Sequence, residues 1–413
     1  MATMNATSDL TQPRSGPATL LIGLGSMPYD NQTQLLSNLE AAFPNVSLTV
    51  GSPDVSGTTA YPPAAASPDA PETHRSSVRL VGYTPAVPPV DDWTLTAPDF
   101  VNAHELARQF DARAILVLGP DAHTLTPPSL ARLAAPLLDS NADLSVAHYT
   151  LPPRTGLVNS SILYPLSRAL FGSRVRFPLA VDLCLSPRML ERLAGKAQRF
   201  TAANQMDALL WPVAEAAVAG FPVVETTSIE RVLPQPVTPD LNTLLAKIIN
   251  SLFSEIDGKA AFWQRSRPGQ NPRVLPEMTE TDCGSLAEMQ PMIDAFRLAY
   301  GNLHEIWSLV LPPQSLLGLK RLAAMPAETF SMSDALWARI VYDFLLAHRL
   351  RTINRGHLLG ALTPLYLAWV ASHIRTTIDG CDPERHIEDV ASAFIADKPY
   401  LVSRWRWPDR FNP

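Results

Sequence analysis

The sequence predicts an α/β protein: a mostly parallel sheet in the first half, followed by a domain built only of helices. Three observations carry this. Short apolar runs alternate with helical patterns up to about residue 230. Apolar residues then recur at helical spacing to the C-terminus, with no competing strand pattern. At 413 residues the chain exceeds one small core, and with 46% hydrophobic residues it can fill two.

The strand candidates are Leu20–Gly25, Ser47–Val50, Val78–Tyr83, Ala114–Leu118, Asp143–His148 and Pro222–Glu225. Helical patterns cover Gln32–Phe43 and Ala103–Phe110, and another helix begins near Pro127. Strands alternating with helices read as βα units on a parallel sheet. Such sheets bind ligands beyond the carboxyl ends of their strands, which places function just after Leu24, Val50 and Leu118. Between Ser52 and Ser77 a Pro/Ala/Ser-rich insertion has too little apolar matter for a core, so a loop is expected, either a lid or a bland surface insertion. Beyond Val237 the helical windows are Leu241–Ile256, Glu288–Ala299, Leu316–Ala324, Ser333–His348, Leu358–Ile374 and Pro383–Ala396. The expected division is a disordered tail over 1–17, an α/β domain over 18–236 and a helical domain over 237–413.

Composition excludes several classes. The formal charge is −6, and the 33 basic residues form no stripe, so nucleic acid is not an expected partner. Three cysteines, Cys184, Cys283 and Cys381, lie far apart, which fits a reducing, cytoplasmic setting and neither a disulfide framework nor a zinc site. The most apolar stretch, Leu358–Ser372, is shorter than the roughly 20 residues of a membrane span and reads as a buried helix, so no membrane anchor is expected. The Trp and Tyr residues from Trp337 to Trp369 read as core, and His386, Glu388 and Asp389 as a solvated helix face.

The segment from Ile115 to Pro127 carries the chemistry. A buried strand delivers Asp121 to the carboxyl edge of the sheet, where it either caps a turn or helps hold a divalent cation, Mg or Mn, against a diphosphate. GT-A glycosyltransferases place an Asp-x-Asp there, and here Gly119 occupies the first position.

Read more widely, the chain resembles bacterial glucosylglycerate and mannosylglycerate synthases, retaining enzymes that join a sugar to a small hydroxy acid. The strongest match is Tyr164-Pro-Leu-Ser-Arg-Ala-Leu-Phe-Gly followed by Arg174-Val-Arg-Phe-Pro and Asp182. Thr49-Val-Gly-Ser-Pro-Asp resembles the loop beside the donor nucleotide, and Leu118-Gly-Pro-Asp with Leu125-Thr-Pro resembles the Asp-Ser-Asp segment. Trp211 to Phe221, His357-Leu-Leu, Pro364-Leu-Tyr, Lys398-Pro-Tyr-Leu-Val and Trp405 follow in similar order.

The resemblance implies a GT-A domain that moves a hexose from a nucleotide sugar to a small polar acceptor such as glycerate. Ser52, Asp54, Asp121 and Arg231 would meet the donor, with Asp121 as the metal ligand. Arg168, Arg174, Arg176 and Asp182 would meet the acceptor, with Asp182 as the catalytic, orienting carboxylate. The departures are equally specific. Gly119 replaces an aspartate, Leu233 replaces a metal-binding histidine, and Arg231 falls on the family's lysine. A cation held by Asp121 alone would bind weakly or not at all. The alternative is therefore an inactive GT-A relative serving as a binding or regulatory subunit. Donor base, acceptor and assembly, including a homo-oligomer, stay open at this level.

Overall fold

In the computed structural model the described residues are 19–25, 27–53, 58–60, 78–90, 93–110, 112–152, 154–179, 181–234, 240–266 and 285–407. They form an eight-stranded sheet followed by a helical body. The N-terminal tail, Asp54 and most of the Pro/Ala/Ser-rich insertion lie outside the described residues.

The strands are β1 (Thr19–Gly23), β2 (Leu48–Ser52), β3 (Thr58–Ala60), β4 (Val78–Gly82), β5 (Ala112–Leu118), β6 (Leu144–Tyr149), β7 (Asp182–Leu185) and β8 (Val223–Ile229). Their order across the sheet is β3-β4-β2-β1-β5-β7-β6-β8. Four of the seven pairings are parallel: β1 with β2, β1 with β5, β2 with β4, and β6 with β8. β7 runs antiparallel between β5 and β6, and β3 antiparallel on β4. β2 is buried along its whole length, and the unbroken apolar character of Ala114–Leu118 follows from burial on both faces.

Two of these strands escape the sequence reading. β7 is only Asp-Leu-Cys-Leu, too short for a period to show. β3 takes three residues of the insertion expected to be a loop, pairing Thr58 with Val81.

The sheet is flanked by α1 (Tyr29–Ala42), α2 (Ala97–Gln109), α3 (Pro127–Leu138), α5 (Pro187–Ala202) and α6 (Pro212–Ala219). Between β6 and β7 runs α4, which widens into π-type turns over Asn159–Leu163, tightens over Tyr164–Leu166 and widens again over Ser167–Phe171. The remaining helices are α7 (Leu241–Gly258), α8 (Ala260–Trp263), α9 (Leu286–Asn302), α10 (His304–Ser308), α11 (Pro313–Ala323), α12 (Asp334–Leu350), α13 (Arg355–Ile378) and α14 (Pro383–Arg406). Every helical window expected after residue 237 lies on one of them.

Two apolar cores result. One underlies the sheet. The other fills the helical body with Trp263, Trp307, Trp337 and Trp369 wholly inside, and it also takes in Leu157–Phe171 side chains and Trp211. The aromatic residues from Trp337 to Trp369 are thus core, as their spacing suggested. No helix among the described residues is long and apolar enough to cross a membrane.

The expectation for His386 and Glu388 needs correction, because both are buried. His386 Nδ1 lies 2.7 Å from His373 Nδ1, and Glu388 accepts a hydrogen bond from the Tyr164 hydroxyl. Asp389 is exposed, as expected, and pairs with Arg385. Glu388 is covered by the docking of α4 on α14, and His386 by α13 and α12, packing that no local pattern announces.

Candidate functional site

β1 has β2 on one side and β5 on the other, so the chain reverses direction across the sheet between β1 and β5. A crevice opens beyond strand ends at such a reversal. Here it is a cleft of about 670 Å³, lined among others by Gly25, Met27, Asn31, Thr94, Leu118 and Asp121. Such a volume suits a ligand of nucleotide-sugar size. A narrower recess, walled by Tyr83 and Asn102, shares Gly25, Pro89, Asp99 and Leu118 with it.

Local sequence builds the walls. Thr96 and Asp99 form a capping box at the start of α2, with the Thr96 N–H donating to Asp99 Oδ2 at 2.6 Å. Asn102 on the same helix clamps the loop carrying Pro89 and Val90. Its Oδ1 accepts from the Val87 N–H at 3.0 Å, and its Nδ2 donates to the Val87 carbonyl at 2.9 Å. Asn38 on α1 donates to the carbonyls of His123 and Leu125 and so fixes the turn after β5. Asp121 sits in that turn with φ 57°, a left-handed conformation that Asp tolerates. Its side chain is exposed at the cleft wall. The Thr94 hydroxyl is buried there without a hydrogen-bond partner among the described residues, so it remains available to a ligand. Proline, methionine and leucine make up much of the remaining lining, a surface suited to a flat heterocycle.

Asp182 lies behind this wall, not on it. Its side chain is 0% exposed, as is that of Arg231. Arg231 Nη1 is 2.5 Å from both carboxylate oxygens, and Nη2 donates to the Pro120 carbonyl. The Tyr149 hydroxyl donates to Asp182 Oδ2 at 2.9 Å and accepts from the Asp182 N–H at 3.0 Å. The Gly119 N–H donates to Asp182 Oδ1 at 3.3 Å. Burial, followed by the charge of Asp182, holds the Tyr149 phenol well above its ordinary range, so it stays a donor. The carboxylate therefore closes a tie between β5, β6, β7 and the segment after β8, and its oxygens are taken. Tyr149 was missed in the sequence because nothing local distinguishes it from a core tyrosine.

Asp121 on the cleft wall and Asp182 behind it thus form a layered arrangement, with Arg231 between them. Arg231 does not stand free to meet the donor, as the resemblance implied, but is buried against Asp182. Burial is the largest single influence and lowers its basicity, but the charges of Asp182 and Tyr149, the hydrogen bond to Asp182 and a smaller contribution from Asp121 together raise it overall.

The acceptor-side arginines also divide. Arg168 is buried and lies 3.8 Å from Glu388. Arg176 is buried, pairs with Glu384 at 3.1 Å and donates to the Ser160 hydroxyl at 2.8 Å. Both bind the sheet half to α14. Arg174 is exposed beside a separate shallow recess with Phe221 and Glu225. None of the three lines the cleft. Ser52 is wholly buried at the end of β2.

The residues at the expected metal position do not fit a divalent cation. No group of three or more His, Cys, Asp or Glu side chains suited to a metal occurs among the described residues. Leu233 packs against the sheet core. Gly119 cannot simply be exchanged for the missing aspartate, because a Cβ there would lie 2.7 Å from the Val181 carbonyl oxygen and 3.0 Å from Val181 Cβ. Both contacts belong to Val181, which leads into β7 and whose N–H donates to the Tyr149 hydroxyl at 3.2 Å. Gly119→Ala should therefore cost about 1–3 kcal/mol in a urea unfolding experiment, the usual range for overpacking. A variant as stable as wild type would show that β7 yields at this point.

No family model matches the chain, and no curated protein matches it. Among solved structures, it is similar to glucosyl-3-phosphoglycerate synthase from Mycobacterium tuberculosis in complex with Mn2+, uridine-diphosphate-glucose and phosphoglyceric acid. The identity is 15% and the TM-score 0.33, over 58% of this chain and 79% of that one. The same enzyme with Mg2+ and uridine-diphosphate gives 13% identity and a TM-score of 0.33, over 58% and 79%. With phosphoglyceric acid alone the values are 14% and 0.33, over 58% and 80%. A superposition this loose transfers no residue's role, and the reading of the site rests on its own geometry.

Proposed function

We propose that the chain is a GT-A-type relative that receives a nucleotide sugar in the cleft beyond β1 and β5 and acts as a binding or regulatory subunit without transferring the sugar. The observation that carries this is the Asp182–Arg231 pair. A carboxylate that must orient an acceptor hydroxyl needs a free oxygen facing the ligand. Both oxygens of Asp182 are held inside the protein. The cleft lining supports the same reading. Among the described residues it contains Asp99 and Asp121 but no lysine or arginine to neutralise a departing diphosphate. Apolar walls with Asn31, Thr94 and His123 suit the nucleoside end of such a ligand.

Hexose transfer to a small hydroxy acid such as glycerate is the second reading, favoured by the exposed carboxylate of Asp121 on the cleft wall. A panel of sugar nucleotides, starting with uridine-diphosphate-glucose, distinguishes the two. The expected result is saturable binding that changes less than about twofold when EDTA replaces Mn2+, because one carboxylate is a poor anchor for a cation. Release of nucleoside diphosphate with glycerate or phosphoglycerate should stay at background. Turnover that depends on Mn2+ would overturn the proposal in favour of a transferase.

A further inference from the structure

The largest cavity described, about 750 Å³, does not belong to the cleft. It lies between α5 on the sheet half and α7 on the helical half, closed at one end by Arg355 at the start of α13. We propose that this groove is a second binding site, for a small phosphate-bearing polyanion.

The groove is cationic in an acidic protein. Five lysine or arginine side chains line it against three acidic ones, a surplus of two in a chain of net −6. The acids are already committed. Glu215 accepts from Lys196 at 3.1 Å and from Lys259 at 2.7 Å, Glu255 is bound by Lys196, and Asp207 lies 3.4 Å from Lys247. Two guanidiniums remain, one from α5 and one from the start of α13. Arg199 on α5 makes no ion pair among the described residues, and its one hydrogen bond, from Nε, goes to the Gly195 carbonyl within its own helix. Arg355 Nε is buried with no hydrogen-bond partner. A buried donor of that kind is costly unless a ligand meets it.

The chemistry selects the ligand class. Guanidinium forks pair with phosphate oxygens bidentately, and a surplus of two positive charges matches a phosphate dianion. The N-terminal end of a 24-residue helix adds positive potential at the same place. Occupancy would also reach the nucleotide cleft. Ala208 on the groove wall accepts from the Ala97 N–H at 3.0 Å, and Ala97 opens α2 beside Thr94 and Asp99.

The test is calorimetric titration of the full chain with inorganic pyrophosphate in EDTA at low salt, with citrate in parallel. Wild type should bind pyrophosphate saturably, and Arg199→Gln/Arg355→Gln should weaken it about tenfold or more, since charge-assisted pairs are lost. Asp121→Asn should leave it unchanged, which separates this site from the cleft. As a control, Arg108→Gln/Arg385→Gln removes two remote, exposed arginines. An equal loss in that control would reduce the effect to general charge and overturn the proposal. So would binding that survives the groove variant, or no saturable binding. Citrate binding as tight as pyrophosphate would overturn the phosphate assignment. Neither arginine holds an acid partner among the described residues, so circular dichroism should show the groove variant folded.

Discussion

Arg231→Met should lower the stability of the sheet half by about 3–5 kcal/mol, the range for removing one partner of a buried ion pair. The substitution keeps the volume of the side chain but leaves Asp182 charged, wholly enclosed and short of its strongest donor. Tyr149 and Gly119 would still donate to it, and two neutral hydrogen bonds do not replace a guanidinium. Asp182→Asn should cost less, because the amide keeps the size and one acceptor, yet it strands Arg231. A variant designed to probe catalysis at Asp182 is therefore a folding variant first. The double variant Asp182→Asn/Arg231→Met should cost clearly less than the sum of the two, because it removes both charges together. Urea unfolding at neutral pH measures all three. A loss below about 1 kcal/mol for Arg231→Met would mean that water or a nearby group compensates, and that the pair is not the tie described.

The second large effect is on pH dependence. Burial holds His373 down at about 3, with the charges of His386 and Arg176 adding to it. Burial also holds His348 down at about 4, assisted by Arg355 and Arg351. Asp343, between α12 and α14, is pushed the other way, up to about 7, because burial outweighs the hydrogen bond from Tyr400 and the nearby arginines. The signs then follow. A histidine depressed in the fold contributes stability that is present above its unfolded value of 6.5 and is lost as pH falls toward the folded value. A carboxyl raised in the fold does the reverse, with stability present below its unfolded value of 3.8 and lost as pH rises through 7. Between about pH 4 and 6.5 unfolding therefore takes up two protons at the histidines and releases one from Asp343.

Stability should fall on acidification through that window by about 1.4 kcal/mol per pH unit for the one net proton. Asp343→Asn mimics the protonated carboxyl and removes the opposing term. It should match wild type near pH 4, gain on it by about 1.4 kcal/mol for each pH unit above that, and steepen the acid loss to about two protons. Unfolding free energies at half-unit pH steps check both slopes. A profile that Asp343→Asn leaves unchanged would show the carboxyl to be ionised in the fold.

The sequence by itself determined the architecture and the location of the cleft. Alternation of strand and helix up to residue 230, then apolar residues at helical spacing, are local periodicities, and packing amplifies them. The punctuation after Leu118 is likewise local, so the ligand edge of the sheet could be placed from it. The two strands that escaped were β3 and β7, of three and four residues, where no period can establish itself.

Only the tertiary structure decided what the site residues do. Asp182, Arg231, Tyr149 and Gly119 are separated by up to 112 positions, counting from Gly119 to Arg231, and meet because β7 inserts antiparallel between β5 and β6. A charged residue reads the same in sequence whether it faces a ligand or a buried counter-charge. Burial decides between the two, since an enclosed carboxylate must be paired while one at the rim stays hydrated. Arg168 and Arg176 went the same way, drawn from an expected acceptor site to Glu388 and Glu384 by the docking of α4 on α14. Asp121 lies at the strand end where the sequence placed it, in a turn held by its own Thr124 and, across the fold, by Asn38 and Arg231.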